Sequence, residues 1–549
     1  MGDSSFMSKK LIPFLIVILF ASTFLFAFQF PVVDAAENSW TTKEAMPTAR
    51  GGLGVAVVNG KIYAIGGNAQ DAVVGTNEEY NPVTDTWTTK KSMPTARSGF
   101  AIAVYQSKIY CIGGTTGDSN NLVSGFTGVV EVYDPATDKW ETKTPMPTPR
   151  ADMCTGVVNN RIYCIGGKKY WGVDPFYQEL NTTEVYDPTR NIWLTKSPMP
   201  IPVLGAASAV LDEKIYVIGG SRHFQVGWDL ATVASNQVYD PENDAWSTRA
   251  SLPAAVSYAA AEATSGVTAP KKIYVVGGSN QTTYSSVTYA YDSAGNVWST
   301  VASMPTSRVY FAVAVVDDIL YAIGGLDGED WLDVNEQYMP VGYGTVPPVL
   351  NVLSPENKTY TSNDIPLVLS VNRPTTWMGY SLDGVANVTV TGDAELPDLS
   401  EGEHRLTVYG NDTFGNMVAS SNVTFFVDTF APLILVFSPE NRTYGESDIH
   451  STFTVDEPVT WMGYSLDGQD NVTVTANVTL AVLSDGSHNI TFYAIDLIGN
   501  TGASRTVYFE ITPFPTVLVV AVAVTITITV ATSYLLLKRR KTWPTVKPK

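Results

Sequence analysis

Lys61-Ile62-Tyr63-Ala64-Ile65-Gly66-Gly67 is a short apolar run stopped by two glycines, and the chain writes it six times. The later copies end in Gly113-Gly114, Gly166-Gly167, Gly219-Gly220, Gly277-Gly278 and Gly324-Gly325. Each opens on Ile-Tyr or Leu-Tyr and has the length of a buried strand, with the glycines giving the backbone freedom to leave it. A Tyr follows each pair: Tyr80, Tyr133, Tyr186, Tyr239, Tyr291 and Tyr338. Seven residues beyond the first five stand Trp87, Trp140, Trp193, Trp246 and Trp298. The glycine pairs lie 47, 53, 53, 58 and 47 residues apart, a period that belongs to a repeat architecture.

With Gly-Gly, Tyr and Trp at these offsets, residues 38–342 resemble a kelch-repeat array, and the resemblance implies a β-propeller of four-stranded blades. The sixth repeat lacks its Trp after Tyr338, whereas Trp40 precedes Trp87 by 47 residues. An N-terminal strand is therefore expected to complete blade six and close the ring, pairing edges that would otherwise invite aggregation. The expected fold is all-β: a six-bladed kelch propeller over 37–345, two sandwiches over 346–430 and 431–513, and one transmembrane helix over 517–537.

The sandwiches are read from a second repeat. Ser354-Pro355-Glu356-Asn357 recurs at Ser438-Pro439-Glu440-Asn441, and Trp377 to Gly384 recurs residue for residue at Trp461 to Gly468, both 84 residues on. Alternating apolar and polar residues between Gly, Asn and Asp turns fit small antiparallel sandwiches. They resemble the immunoglobulin-like spacer repeats of prokaryotic and archaeal surface proteins. The repeated Trp is expected in the core, and Asp383-Gly384 and Asp467-Gly468 in hairpin turns.

Both termini point to a membrane. Residues 1–36 carry Lys9-Lys10 and an apolar run from Leu11 to about Phe28, a secretory signal with Val33-Asp34-Ala35 as a cleavage site, or an uncleaved anchor. Val517 to Leu537 has no charge, is long enough for a bilayer, and is followed by a basic tail, 538–549, that opens with Lys538-Arg539-Arg540-Lys541. The tail is expected in the cytoplasm and the rest outside the cell. Net charge is −19, and nearly all the acid lies in the exterior part, which argues against a nucleic-acid partner. Asn-X-Ser/Thr begins at Asn181, Asn280, Asn357, Asn387, Asn411, Asn422, Asn441, Asn471, Asn477 and Asn489, all expected glycosylation sites. Cys111, Cys154 and Cys164 read as small core hydrophobes; a Cys154–Cys164 disulfide depends on hairpin register. No metal-ligand spacing and no cofactor motif is present.

Candidate ligand contacts come from the repeat topology. Met-Pro-Thr-x-Arg leads into the first strand of several blades, so Arg50, Arg97, Arg150 and Arg308 are expected on one face near the channel, with Val203 and Val256 at the same position in blades four and five. Resemblance to kelch ligand-binding propellers implies that these arginines can line the ligand mouth; the alternative is that they brace the loops. The connections after the glycines share that face and bring Tyr170, Trp171, His223, Trp228 and Trp331. Rings beside guanidinium groups suit a sugar bearing an acidic group. The expected partner is an extracellular glycan or an envelope protein, bound without catalysis. A sialate-mutarotase-like sugar enzyme and a spacer without a ligand are the alternatives. A single propeller histidine argues against a copper radical oxidase, and the boxes of sialidases are absent.

Overall fold

A computed structural model describes residues 36–70, 72–117, 125–170, 177–223, 230–512 and 516–539. The expected leader and the tail from Arg540 lie outside these residues. The chain divides into two compact units at Pro347–Pro348.

The first unit holds six four-stranded antiparallel sheets, one per repeat. Blade one is Gly54–Val58, Lys61–Ile65, Asn77–Asn81 and Thr86–Lys90, and we letter such strands a to d from the channel outward. Strand b is the glycine-stopped run. It is buried because it lies inside the sheet and packs between neighbouring blades: Ile62, Ala64 and Ile65 are fully buried. Blade six takes strand d from Ser39–Lys43, which pairs antiparallel with Asn335–Met339 from Ser39↔Met339 to Lys43↔Asn335.

Three sets of hydrogen bonds join the blades. The second glycine of each pair donates its N–H to the carbonyl of residue 50, 97, 150, 203, 256 or 308 at 2.8–3.1 Å. All six of these glycines have positive φ, and a Cβ on Gly66 would stand 2.7 Å from the Arg97 carbonyl oxygen. The pair therefore serves both the left-handed turn and the close approach of the next blade. On the rim, each repeat Trp donates its indole N–H to the preceding blade at 2.8–3.0 Å. Each repeat Tyr donates its hydroxyl to an Asp or Asn that also accepts a backbone N–H of the preceding blade, as Tyr80 and Glu44 N–H do at Asp85. In blade six that acceptor is Asn38.

The second unit contains two sandwich-like pairs of sheets, each with one three-stranded and one larger sheet. Asp383 and Gly384 both have positive φ, and Val385 N–H bonds the Leu382 carbonyl, forming the expected hairpin turn. The repeated Trp is not in the core. Strand Thr375–Leu382 turns Met378, Tyr380 and Leu382 inward, so Trp377 faces out by the period of two. It lies across Gly379, where a Cβ would meet the ring at 2.6 Å, and donates to Thr389 Oγ1 at 3.1 Å; Trp461 repeats this over Gly463. Arg373 pairs with Asp412 in the first sandwich. Glu457 stands 84 residues after Arg373, and it gathers with Asp428 and Asp496 into a cluster of three carboxylates.

His404 and His488 are matching buried residues, and each ring has both nitrogens on acceptors. For His404 these are Asp383 Oδ2 and the Ser400 carbonyl, each at 2.7 Å; for His488 they are Asp467 Oδ2 and the Ser484 carbonyl, also at 2.7 Å. Only the imidazolium can donate from both nitrogens. Burial opposes the charge on His404, but the Ser400 carbonyl and Asp383 outweigh it and hold the pKa above the ordinary value. The Ser484 carbonyl, against burial and with Asp467, raises that of His488. A raised folded pKa contributes stability that is complete below the unfolded value of about 6.5 and is lost as pH rises through the folded value. The urea midpoint of the sandwich unit is therefore expected to fall between about pH 6 and 8. In the His404→Gln/His488→Gln variant that slope should flatten.

The helix Thr516–Arg539 follows. Its Val/Thr/Ile pattern suits a strand in water, but Thr525, Thr527, Thr529 and Thr532 return their hydroxyls to carbonyls four residues back, which suits an apolar surrounding. It is long and apolar enough to cross a membrane.

Candidate functional site

The four arginines are not on the surface. Arg50, Arg97, Arg150 and Arg308 are each 0% exposed, and each pairs with a glutamate of strand c in its own blade: Glu78, Glu131, Glu184 and Glu336. Each also donates to the carbonyl of the strand b residue 14 positions on, at 2.8–3.1 Å. The Thr of Met-Pro-Thr-x-Arg donates to the same glutamate at 2.8 Å in all four blades. Where blade four has Val203 it has Gln237 in the glutamate's place, and where blade five has Val256 it has Tyr289. Arginine and glutamate come and go together, as a buried pair must. The expectation of a guanidinium-lined mouth is corrected on this ground: these groups brace the blades and present no surface to a ligand.

Two residues beyond each arginine or valine lies the position that does shape the mouth. Gly52, Gly99, Asp152, Gly205, Tyr258 and Tyr310 all have positive φ, between 53° and 65°. Around the axis, Gly52 N–H donates to the Tyr310 carbonyl, Gly99 to Gly52, Asp152 to Gly99, Gly205 to Asp152 and Tyr258 to Gly205, at 2.6–3.1 Å. These links form an annulus of backbone, and the left-handed conformation is what turns each N–H toward its neighbour. Glycine adopts it freely, but Tyr pays steric strain, of the kind that collects at functional sites. Asp152, Tyr258 and Tyr310 are therefore the informative members. Asp152 Oδ1 lies 2.4 Å from where a Cβ on Gly99 would be, and Tyr258 Cε1 lies 2.6 Å from one on Gly205. The glycines thus make room for the other side chains.

These groups line a depression of about 160 Å³ with Phe100 and Phe311. The Tyr258 and Tyr310 rings are 4.3 Å apart. Burial first keeps both hydroxyls protonated well above the ordinary tyrosine value. Asp152 adds to this at Tyr258 against an opposing hydrogen bond with Tyr310, and Tyr258 and then Asp152 add to it at Tyr310. Lys168 Nζ is 2.6 Å from Asp152 Oδ2 and 4.8 Å from the centre of the Tyr177 ring. Burial opposes its charge, but Asp152, with Tyr310, outweighs this and raises its pKa. One cation, one carboxylate, two phenol donors and aromatic faces thus meet at the channel mouth, with no net charge from the ion pair.

The glycine-led connections frame this mouth, because Ala151 bridges to Lys168 and Leu204 to Ser221. In blade three Lys168–Tyr170 pairs with Tyr177–Glu179, which sets Tyr170 opposite Tyr177; Phe126 of blade two meets Tyr177 edge-on at 6.2 Å. His223, in the matching hairpin of blade four, pairs with Glu179 at 2.9 Å and ties the two hairpins together. Trp331 lies over Gly51, where a Cβ would touch its ring at 2.6 Å. Trp171 and Trp228 lie outside the described residues. Tyr170, His223 and Trp331 therefore share the mouth face, with His223 engaged by Glu179 and Trp331 packed on backbone. Asp152, Lys168, Tyr258 and Tyr310 escaped a reading that looked for repeated arginines. Their signal is the opposite, a repeat position that is glycine in three blades and abandons it in three.

Eight of the ten sequon asparagines are exposed; Asn411 and Asn489 are half-buried in strands. Cys111, Cys154 and Cys164 are buried and unpaired. Cys154 pairs with Ile165 and Cys164 with Thr155, one register apart, so the two thiols point to opposite sides of the sheet. Burial pushes all three thiols up to about 12.

The KLHDC2/KLHL20/DRC7 kelch-repeats domain matches residues 25–167 and 141–325, more than half of the chain. This chain is a member of the kelch-repeat family. Similar curated proteins include Kelch-like protein 26 of Danio rerio, 33% identical over 220 residues that cover 39% of this chain and 33% of that protein. Kelch-like protein 25 of Xenopus tropicalis is 26% identical over 220 residues, covering 40% and 36%. Kelch-like protein terF of Aspergillus terreus is 31% identical over 219 residues, covering 37% and 46%. The chain spans between a third and a half of the length of these three relatives. The solved structure of YjhT aligns with 53% of this chain and 95% of its own, at 18% identity and a TM-score of 0.44.

Proposed function

We propose that this kelch propeller is a cell-surface recognition module, carried on its sandwiches and one membrane helix, that binds an extracellular glycan at the channel mouth without turning it over. The helix crosses the membrane with the basic tail in the cytoplasm, and the sandwiches act as an immunoglobulin-like stalk. One observation carries the ligand reading: three non-glycine residues, Asp152 and the strained Tyr258 and Tyr310, stand in a left-handed annulus whose other positions are glycine. Their side chains supply what a sugar needs, a carboxylate to accept hydroxyls and aromatic faces for stacking. With the arginines buried and Lys168 paired to Asp152, the mouth favours a neutral sugar over an acidic one.

The test is a glycan array probed with the full chain in detergent, beside its Tyr258→Gly/Tyr310→Gly variant. Glycine is already the residue at this position in blades one, two and four, so the annulus survives the change. The expected result is binding to neutral glycans that weakens by about tenfold or more, about 1.4 kcal/mol or more, in the variant. Absence of binding, or binding unchanged by the variant, overturns the glycan reading and leaves a protein ligand or a spacer. Interconversion of a free sugar's anomers by the parent would instead make it an enzyme.

A further inference from the structure

We propose that the channel's other chamber is a second, separate binding site, for a small primary amine whose ammonium sits on Glu262 and whose apolar body lies against the valine belt. This chamber has a volume of about 560 Å³ and lies past the annulus, where the a strands run toward their a–b turns. That volume falls within the range of small-molecule sites. Its wall is monotonous by design of the repeat. At the fourth position of strand a stand Val57, Val104, Val157, Val210, Ala263 and Val315. At the third position five blades place Ala or Gly, and blade five places Glu262.

Glu262 has no paid-for reason to be there. It lines the chamber, joins no ion pair among the described residues, and has a single hydrogen bond, from the N–H of its neighbour Ala263 at 3.3 Å. Desolvation pushes its carboxyl up to about 7, opposed by that N–H. A partly buried carboxylate with no cation beside it costs stability. The alanine of the other blades would avoid the cost.

The same blade departs from the repeat a second time, at the same chamber. The other a–b connections are two-residue turns, such as Asn59-Gly60 and Asp317-Asp318. Blade five instead has nine residues there, Thr264 to Lys272, a net insertion of five, since Ala260 to Gly277 spans 17 residues where Gly54 to Gly66 spans 12. Asp318 fastens the insertion by accepting the N–H groups of Ser265, Val267, Thr268 and Ala269 at 2.5–3.1 Å. Ser265, Val267 and Thr268 thereby become chamber wall. One blade thus supplies both the charge and the extra wall.

The chemistry of the occupant follows from the count of acids. Asp317 and Asp318 are the other carboxylates at the chamber, and Asp318 is committed to the insertion. Asp317 is exposed on its turn, which leaves Glu262 as the one uncommitted carboxylate that is partly buried. One such carboxylate cannot satisfy a divalent cation, which takes six or more oxygens. It matches a single ammonium with three donors, and the valines match a short alkyl chain.

The full chain in detergent is titrated with n-butylammonium chloride at about pH 8.5, where Glu262 is ionised and the amine still charged. n-Butanol serves as the neutral probe, protein-free micelles as the blank, and saturation-transfer NMR with thermal unfolding as readouts. The expected result is butylammonium binding that weakens by about tenfold or more in Glu262→Gln, with butanol unchanged by the substitution. The Glu262→Ala variant, which restores the residue of the neighbouring blades, should unfold at a higher temperature than the unliganded parent and gain nothing from the amine. Failure to bind up to about 100 mM, or equal binding by parent and Glu262→Gln, overturns the proposal. The Tyr258→Gly/Tyr310→Gly variant should keep amine binding intact, so the two sites fail or hold independently.

Discussion

Arg150→Ala is expected to destabilise the propeller by about 3–5 kcal/mol, the effect of stranding a buried carboxylate without its cation. The guanidinium of Arg150 is 0% exposed, pairs with Glu184, and donates to the Thr148 carbonyl at 3.0 Å and the Cys164 carbonyl at 2.9 Å. Its removal leaves Glu184 with the Thr148 hydroxyl at 2.8 Å as the hydrogen-bond donor, and leaves a cavity where a large side chain stood. The chain contains its own control. Blade four solves the same position with Val203 and Gln237, whose amide both accepts from and donates to Ile201 backbone at 2.8 and 3.0 Å. The double variant Arg150→Val/Glu184→Gln copies that solution into blade three. It is expected to return to within about 1–2 kcal/mol of the parent, because replacing both partners removes the stranded charge. Urea unfolding of the full chain, followed by the fluorescence of the propeller tryptophans, measures both. A loss of less than about 1 kcal/mol in Arg150→Ala would contradict a bracing role.

The outcome at the arginines shows what a repeat can and cannot disclose. The period of the glycine pairs contained the blade count, and the displaced Trp40 contained the closure, because both rest on positions along the chain. The arginine sites were legible as a repeated pattern, but not the direction in which the side chains turn. The disclosing signal was the glutamate two residues before the repeat tyrosine, Glu78, Glu131, Glu184 and Glu336, which is replaced only where the arginine is. Trp377 was misplaced for a related reason: alternation assigns two faces, and a large ring was assigned to the inner one, although Gly379 two residues on offers the outer face a flat seat. The mouth residues were hidden because Asp152, Tyr258 and Tyr310 are exceptions to a repeat rather than examples of it. Their role depends on a backbone conformation that no side chain announces. Glu262 and the insertion beside it belong to the same class, so departures from the repeat mark candidate sites better than the repeat does.

Deleting residues 37–44 is expected to abolish the folded propeller. The deletion removes five strand pairs with Asn335–Met339, each worth about 1 kcal/mol net. It also removes the Trp40 ring that packs 5.1 Å from Tyr338 and donates to the Ala302 carbonyl at 2.9 Å, a side chain whose loss costs about 3 kcal/mol. Asn38 goes with it, and that residue holds both the Tyr338 hydroxyl and the Ala302 N–H. The sum approaches the whole stability of a domain, about 5–15 kcal/mol. What remains has a bare strand edge beside an uncovered aromatic residue, the arrangement that pairs with other copies. Size exclusion and thermal unfolding of the deleted chain should therefore show aggregation and loss of the cooperative transition. A circular permutant separates loss of the strand from loss of its covalent position. Glu37 Oε2 accepts the Gly342 N–H at 2.6 Å, so the two segments already meet. Moving residues 37–44 behind Met339, through two residues copied from Pro82-Val83 of blade one, makes six contiguous repeats and ends the chain within the propeller, because Glu37 and Asn38 already stand where blade one has Thr84 and Asp85. That permutant is expected to fold with a midpoint near that of the intact propeller, because the same contacts are made in a different chain order. A deleted chain that melted cooperatively at the parent's temperature would mean that blade six stands on three strands and that the ring is not closed by its first segment.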